Sequence, residues 1–248
     1  YCMGVLYYMV ELYLENPYLK SVETKVLESR QIKNCTAICL QNNIFYPGGG
    51  GQPSDKGIIR FGTDEIQVSK VLKNDGNVFL FSSDFKKIPI HESITAKIDW
   101  DLRYRYMRCH TAAHVVNGAI KRNVKNYNAA GINIFEDGLS VIVKFDGNWA
   151  QNEIEASRII EIANEIIQKP AEVIIKNYKN ISEPVLEYGE IYRGTKNLTG
   201  KVRIVIINNW DANPCGGTHV RTLNEIGKIR LSGFEEQSIT FSLDVVSL

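Results

Sequence analysis

Two short segments about a hundred residues apart, "RCHTAAH" at 108–114 and "PCGGTHV" at 214–220, hold three of the chain's four histidines and two of its five cysteines. Each segment pairs its ligand-type residues at the same interval, His110 with His114 and Cys215 with His219. On a helix, residues four apart lie one turn apart on one face, so the first two imidazoles can converge on one ion at about 2.0–2.1 Å. The second pair needs a turn, and Gly216 and Gly217 let the chain fold tightly around the ion. Taken singly, each pair has a bland reading: a surface or core histidine pair, and a plain tight turn. Taken together they predict a Cys/His3 metal site, and that donor set favours zinc, one ion per chain. A fold that returns a turn to a helix across a hundred residues already contains a sizeable core. The ion is therefore expected beside a pocket rather than as the sole source of stability. Two roles follow for it, activating a water or ordering the pocket, since four protein ligands complete a tetrahedron.

The period of the apolar residues divides the chain. The first hundred residues read as short β-branched or aromatic runs, "KVLESR", "CTAICL", "NIFYP", "GIIRFG", "IQVSKVLKND", "NVFLFSS" and "SITAKID", punctuated by Gly, Asn and Asp. That pattern predicts a small β-barrel or sandwich, with only "LYLENPYLKS" suited to a helix. From Asp99 the spacing turns helical, placing Leu102, Tyr106, Cys109, Ala113, Val116 and Ile120 on one side of a helix capped by Asp99. A second helix starts near Asn152 and is stopped by Pro170, with Ile159, Ile162, Ala163 and Ile166 as its buried stripe. Strand-like segments, "LSVIVKFD", "AEVIIKNY", "KVRIVIINNW", "GKIRLSGFEE" and "ITFSLDVV", surround these helices. The expectation is an α+β protein: residues 1–94 as a small N-terminal β-barrel, then residues 95–248 as an α+β metal-containing domain with helices on a largely antiparallel sheet.

Composition narrows the partners. Twenty-nine basic and 28 acidic residues leave a formal charge of +1, too little for a field that grips nucleic acid nonspecifically, so any RNA contact is local. No apolar run reaches the 18 or so residues of a membrane span, and "YCMGVLYYMVELYLENPYLK" lacks a basic n-region and a cleavage site. A cytoplasmic protein without membrane contact is expected. An odd number of cysteines, with Cys2, Cys35, Cys39 and Cys109 scattered through apolar stretches, speaks against a disulfide framework. Cys35 and Cys39 are read as core residues in a strand, and His91 as structural or exposed.

Two further features carry possible chemistry. "NIFYPGGGGQPSDKG" at 43–57 puts four glycines in a row, either a flexible hairpin turn or a loop whose bare backbone approaches an anionic or carbonyl-bearing ligand. It lacks the Lys-Ser/Thr ending of a phosphate-binding loop, so nucleotide hydrolysis by such a loop is not supported. Arg103, Arg105 and Arg108 alternate with Tyr104, Tyr106 and Met107 just ahead of the first histidine pair. They read either as a local contact for phosphates and unpaired bases or as a solvated face. Neither a G-x-S-x-G elbow nor a spare histidine for a serine triad is present, and Cys215 as a nucleophile would compete with its ligand role.

"HTAAH" with "CGGTHV" and the following "EIGKIRL" resembles the editing domain of alanyl-tRNA synthetase and its free-standing relatives, the AlaX proteins. "DWDLRYRYMR" and "KVRIVIINNWD" extend the likeness over most of residues 95–233, and the glycine loop on a β-domain resembles the medium-length class. The resemblance implies that His110, His114, Cys215 and His219 bind zinc. It also implies that the chain hydrolyses the ester joining serine, or glycine, to a mischarged alanine tRNA. By the same likeness Thr111 is the candidate catalytic contact, and Gly49, Gly50, Gly51, Gln52 and Asn133 are substrate-binding candidates. Arg103, Arg105 and Arg108 would meet the tRNA. Gly48 stands where the family pattern often carries an acidic residue. Two other readings stand beside this one, a zinc-stabilised RNA-binding module without turnover and a metal-dependent hydrolase of a small ester or amide.

Overall fold

The computed structural model describes residues 8–189 and 199–245; Cys2 and the rest of the first seven residues lie outside them. The chain divides into two compact units, residues 1–49 with 53–103 and residues 50–52 with 104–248.

In the first unit seven antiparallel strands form one sheet: β1 (Ser21–Ile32), β2 (Cys35–Leu40), β3 (Gly57–Phe61), β4 (Asp64–Val68), β5 (Lys70–Asn74), β6 (Asn77–Ser82) and β7 (Ser93–Ile98). Their order is β4-β3-β7-β1-β2-β6-β5. β1 pairs with β7 through Ser21–Lys25 and with β2 from Val26 onward, across a bulge between Val26 and Glu28 that lets one long strand serve both halves of the sheet. The edge strands β4 and β5 are not paired to each other, so the expected small barrel is an open sheet. Strict alternation in β7 turns Ile94, Ala96 and Ile98 into a core that includes Val26, Ile38, Leu40, Phe45, Ile59 and Leu80. Cys39 is buried and Cys35 half-buried, and "LYLENPYLKS" contributes only the single turn Leu12–Glu15.

The long helix expected from Asp99 is α1 (Trp100–Asn123), and the Asp99 carboxylate accepts the Leu102 N–H at 3.1 Å as its cap. It differs from the expected one-sided stripe: residues 106–120 are buried all round. Ala112, Ala113 and Ala119 are small enough for neighbours to approach closely, and buried polar side chains such as Thr111 and Asn117 have internal partners. In the second unit α1 is followed by β8 (Lys125–Ile134), β9 (Ser140–Asn148), α2 (Glu153–Ile167), β10 (Val173–Tyr178), α3 (Ser182–Tyr188), β11 (Val202–Ile207), β12 (Asp211–Pro214), β13 (Ile229–Glu235) and β14 (Ser238–Leu243). The strands make two antiparallel sheets, β8-β9-β14-β13 and β10-β11-β12. α2 is capped by Asn152 as expected, but its buried stripe runs through Ala156, Ile159, Ile160, Ala163 and Ile167, with Ile162 and Ile166 only half-buried. β8 has no counterpart among the expected strands: "KNYNAAGINI" has neither alternation nor β-branched density, and it becomes a strand by pairing with β9 across two irregularities in register.

Candidate metal centre and its cavity

α1 sets His110 above His114 on one face, and the irregular chain after β12 supplies Cys215 and His219. The four ligand atoms lie within 4.8 Å of one another. Cys215 Sγ is 3.4 Å from His110 Nε2 and 3.3 Å from His219 Nε2. A tetrahedral ion with bonds of about 2.0–2.3 Å separates its ligand atoms by about 3.3–3.8 Å, so the group fits one ion with little adjustment.

The outer nitrogen of every imidazole is held by a side-chain oxygen. His110 Nδ1 donates to Gln52 Oε1 at 2.9 Å, His114 Nδ1 to Asp211 Oδ2 at 3.0 Å, and His219 Nδ1 to Thr111 Oγ1 at 3.2 Å. With the proton on Nδ1, the Nε2 lone pairs turn inward as ligands, and ring rotation is blocked. Gln52 also joins the ligand turn: its Nε2 donates to Thr218 Oγ1 at 2.8 Å, and the Thr218 N–H donates to Oε1 at 3.1 Å. Gly217 completes the turn by having no side chain, since a Cβ there would stand 2.1 Å from His110 Cε1.

The charges suit a cation. Burial opposes ionisation of Cys215, but electrostatic interaction with the neighbouring imidazoles, His110 first, and hydrogen bonds from His110 and His114 hold its thiol well below the ordinary value. Burial, reinforced by His110 and His114, lowers His219 to about 3 and keeps it a neutral ligand. His114 goes the other way: burial opposes protonation, yet hydrogen bonds to Asp211 and Cys215 raise it to about 9. A cation replacing that proton keeps both attractions.

Beside the ligands lies a cavity of about 370 Å³ lined by Gly50, Gly51, Asn117, Ala129, Ile132 and Asn213 among others. Gly48 to Gly51 have φ values of +83°, +123°, +56° and +83°, a run of left-handed backbone that only glycine adopts without strain. A Cβ on Gly51 would meet the Ile132 carbonyl oxygen at 2.2 Å. The loop thus brings bare backbone to the cavity at Gly50 and Gly51. Gly49 belongs to the first unit, where its carbonyl accepts the Tyr46 hydroxyl at 2.9 Å. Gln52 stands behind His110 as a positioning residue, and Asn133 is exposed on β8 and outside the cavity lining.

Three of the candidate residues are buried. The Thr111 hydroxyl donates to Met107 O at 2.9 Å and accepts from Val220 N–H at 3.2 Å and from His219, so its proton and both lone pairs are used internally, behind a ligand ring. Arg103, 1% exposed, pairs with Asp55 and donates to Pro17 O at 2.9 Å and Ile44 O at 2.7 Å. Arg108, equally buried, ties down the carbonyls of Glu225, Ile226 and Asp244. Neither guanidinium is exposed; Arg105 alone of the three is half-buried rather than buried. Sequence reasoning misses Asp211 and Asn117. The signal for Asp211 is a lone carboxylate between an apolar strand and the ligand turn in "NNWDANPCGG", and for Asn117 a polar residue on the face shared by His110 and His114.

Residues 9–102 match the family described as tRNA synthetases class II (A), and residues 202–240 match the threonyl and alanyl tRNA synthetase second additional domain. The chain is 32% identical over 227 residues to the alanyl-tRNA editing protein AlaX-M of Pyrococcus horikoshii, covering 88% of that protein and 89% of this chain. It is 33% identical over 232 residues to AlaX-L of the same organism, with 93% of this chain aligned to 56% of that protein. It is also 33% identical over 228 residues to the alanine–tRNA ligase of Hyperthermus butylicus, with 91% of this chain aligned to 24% of the ligase. The chain therefore spans about half the length of one of these relatives and a quarter of another.

Proposed function

This chain belongs to the AlaX family of alanyl-tRNA editing proteins, and on that basis we propose that it is a trans-editing deacylase acting on seryl-tRNA, and on glycyl-tRNA, for alanine. The observation that carries the reading is one preorganised donor set, three imidazoles and a thiolate with every imidazole braced from behind, opening on a cavity floored by bare glycine backbone. Residues 1–94 are proposed as the domain that carries the glycine loop, and residues 95–248 as the editing domain. The protein is proposed to work in the cytoplasm; among the described residues no helix is long and apolar enough to cross a membrane.

His110, His114, Cys215 and His219 would hold one zinc ion. When bound, zinc supplies a positive charge and Lewis acidity beside the ester. The chain's own residues do the rest. Gln52, Asp211 and Thr111 fix the ligand rings so that no reorganisation is needed during reaction. Gly50 and Gly51 admit the aminoacyl group close to the backbone, and Ala129, Ile132 and Pro214 give the cavity apolar walls. In the overall reaction a water oxygen bonds to the carbonyl carbon, the bond to the ribose oxygen breaks, and that oxygen takes up a proton. The acyl ester is already activated, which suits a site with positioning and polarisation but no dedicated nucleophile. Contact with tRNA phosphates falls to Arg105 and to the exposed Lys125 rather than to Arg103 or Arg108.

The test is deacylation of seryl-, glycyl- and alanyl-tRNA for alanine by the metal-loaded protein. Release of serine well above the buffer rate supports the reading. Tight tRNA binding with no release of serine or glycine would replace it with the RNA-binding module.

A further inference from the structure

Apart from the metal ligands, the cavity lining contains two polar side chains, Asn117 and Asn213; the rest is glycine, alanine, isoleucine and proline. Asn213 lies half-buried on β12. Asn117 is different: it is 5% exposed, one turn beyond His114, and its amide is held in place. Its Oδ1 accepts the Tyr127 hydroxyl at 3.0 Å. Tyr127 reaches it because β8 is irregular there, with a register shift between Lys125 and Asn128 and a left-handed Asn126 at φ +54°. Among the described residues nothing accepts a hydrogen bond from Asn117 Nδ2. A buried, braced amide with an unused N–H donor therefore lines the cavity, where Asn213 is the other polar side chain beyond the ligand set.

We propose that Asn117 is the residue that selects the amino acid, its Nδ2 donating to the side-chain hydroxyl of a seryl ester. The inference rests on the deacylase reading above and deepens it. A donor-only group cannot receive the α-ammonium, which is itself a donor, and it matches a hydroxyl oxygen with two lone pairs. An alanyl ester puts a methyl against Nδ2, displacing water without accepting the hydrogen bond, so the desolvated donor penalises the correct aminoacyl-tRNA. A glycyl ester leaves room for a water to satisfy Nδ2, which gives the order serine, glycine, alanine from one amide.

The experiment measures kcat/KM on seryl-, glycyl- and alanyl-tRNA for the wild type, Asn117→Ala, Asn117→Asp and Tyr127→Phe, with metal content recorded for each. Binding of non-hydrolysable amide-linked seryl and alanyl 3′-amino-adenosines is measured in parallel. Asn117→Ala is expected to lower the seryl rate about 10- to 100-fold and the glycyl rate less than about threefold, with the seryl preference over alanyl falling about tenfold or more. Asn117→Asp, an acceptor only, should lose the seryl rate as well. Tyr127→Phe keeps the amide, releases its brace and should show a smaller loss of the same selectivity, and it decides the matter if Asn117→Ala does not fold. Equal losses on seryl and glycyl esters would put the amide at the shared carbonyl and overturn the proposal, as would a full seryl rate in Asn117→Asp. A wild type that releases neither serine nor glycine would overturn the deacylase reading, and this proposal with it.

Discussion

His110 and His114 take their spacing from a helix whose backbone is regular from Trp100 to Asn123, and the residues between them, Thr111 to Ala113, need only be small or internally bonded. Cys215 and His219 reach the same spacing along irregular chain, where the intervening residues must hold the geometry themselves. Gly217 leaves room for the His110 ring, and Thr218 hooks onto Gln52. The two halves also differ in their protons. His219 is neutral and Cys215 ionised, whereas His114 on the helix carries a proton held by Asp211 and Cys215. A helix sets the spacing of its ligands by local hydrogen bonds and leaves only the ring orientation to outside partners. A turn sets even the spacing only with outside support, and so it is the fragile half.

The largest effect should come from crowding the turn. Gly217→Ala puts a methyl into the His110 ring and is expected to remove bound zinc almost entirely, at a cost of roughly 3 kcal/mol in unfolding free energy. Ala113→Gly on the helix should cost about 1 kcal/mol and leave zinc content near one per chain. Elemental analysis and denaturant unfolding measure both variants; equal loss of metal from the two would show that helix and turn are equally fragile.

A pH series comes next. Because the metal-free His114 holds its proton up to about 9, ligation at neutral pH releases it, and zinc affinity should rise about tenfold per pH unit up to about 9, then level off. Asp211→Asn removes the main attraction for that proton, so the rise should end nearer neutrality while affinity above pH 9 falls about 10- to 100-fold. Competition titrations with a chelator of known pH dependence measure both; a flat profile in the wild type would show that His114 is neutral before the metal binds.

The smallest expected effect is Thr111→Val. It leaves the Val220 N–H and His219 Nδ1 without an acceptor, so a loss of about 1–2 kcal/mol in stability and a weaker zinc affinity are expected, with the ratio of seryl to glycyl release unchanged. A changed ratio at unchanged stability would return Thr111 to the substrate.

Much of this molecule is legible in residue order. Helical spacing after Asp99, the Asn152 cap and most of the strand runs are local patterns, and the structure bears them out because short-range sterics and burial dictate them, whereas "NIFYP" is strand only at Asn43. The β8 strand is not legible, since "KNYNAAGINI" owes its conformation to β9 and not to its own propensity, and three of its residues, Ala129, Gly131 and Ile132, line the cavity. The arginines at 103 and 108 read as a surface strip because sequence carries charge but not burial.

Residue order alone carries the identity and spacing of the four ligand residues, since donor chemistry and a helical repeat are properties of residue type and interval. What stands behind and beside those ligands emerges only when the chain is folded. That Gln52, Thr111 and Asp211 brace the rings, and that Asn117, held by Tyr127, lines the cavity, depends on contacts between segments up to 166 residues apart. Such contacts are set by packing and by the need to satisfy buried polar groups, and no local interval records them.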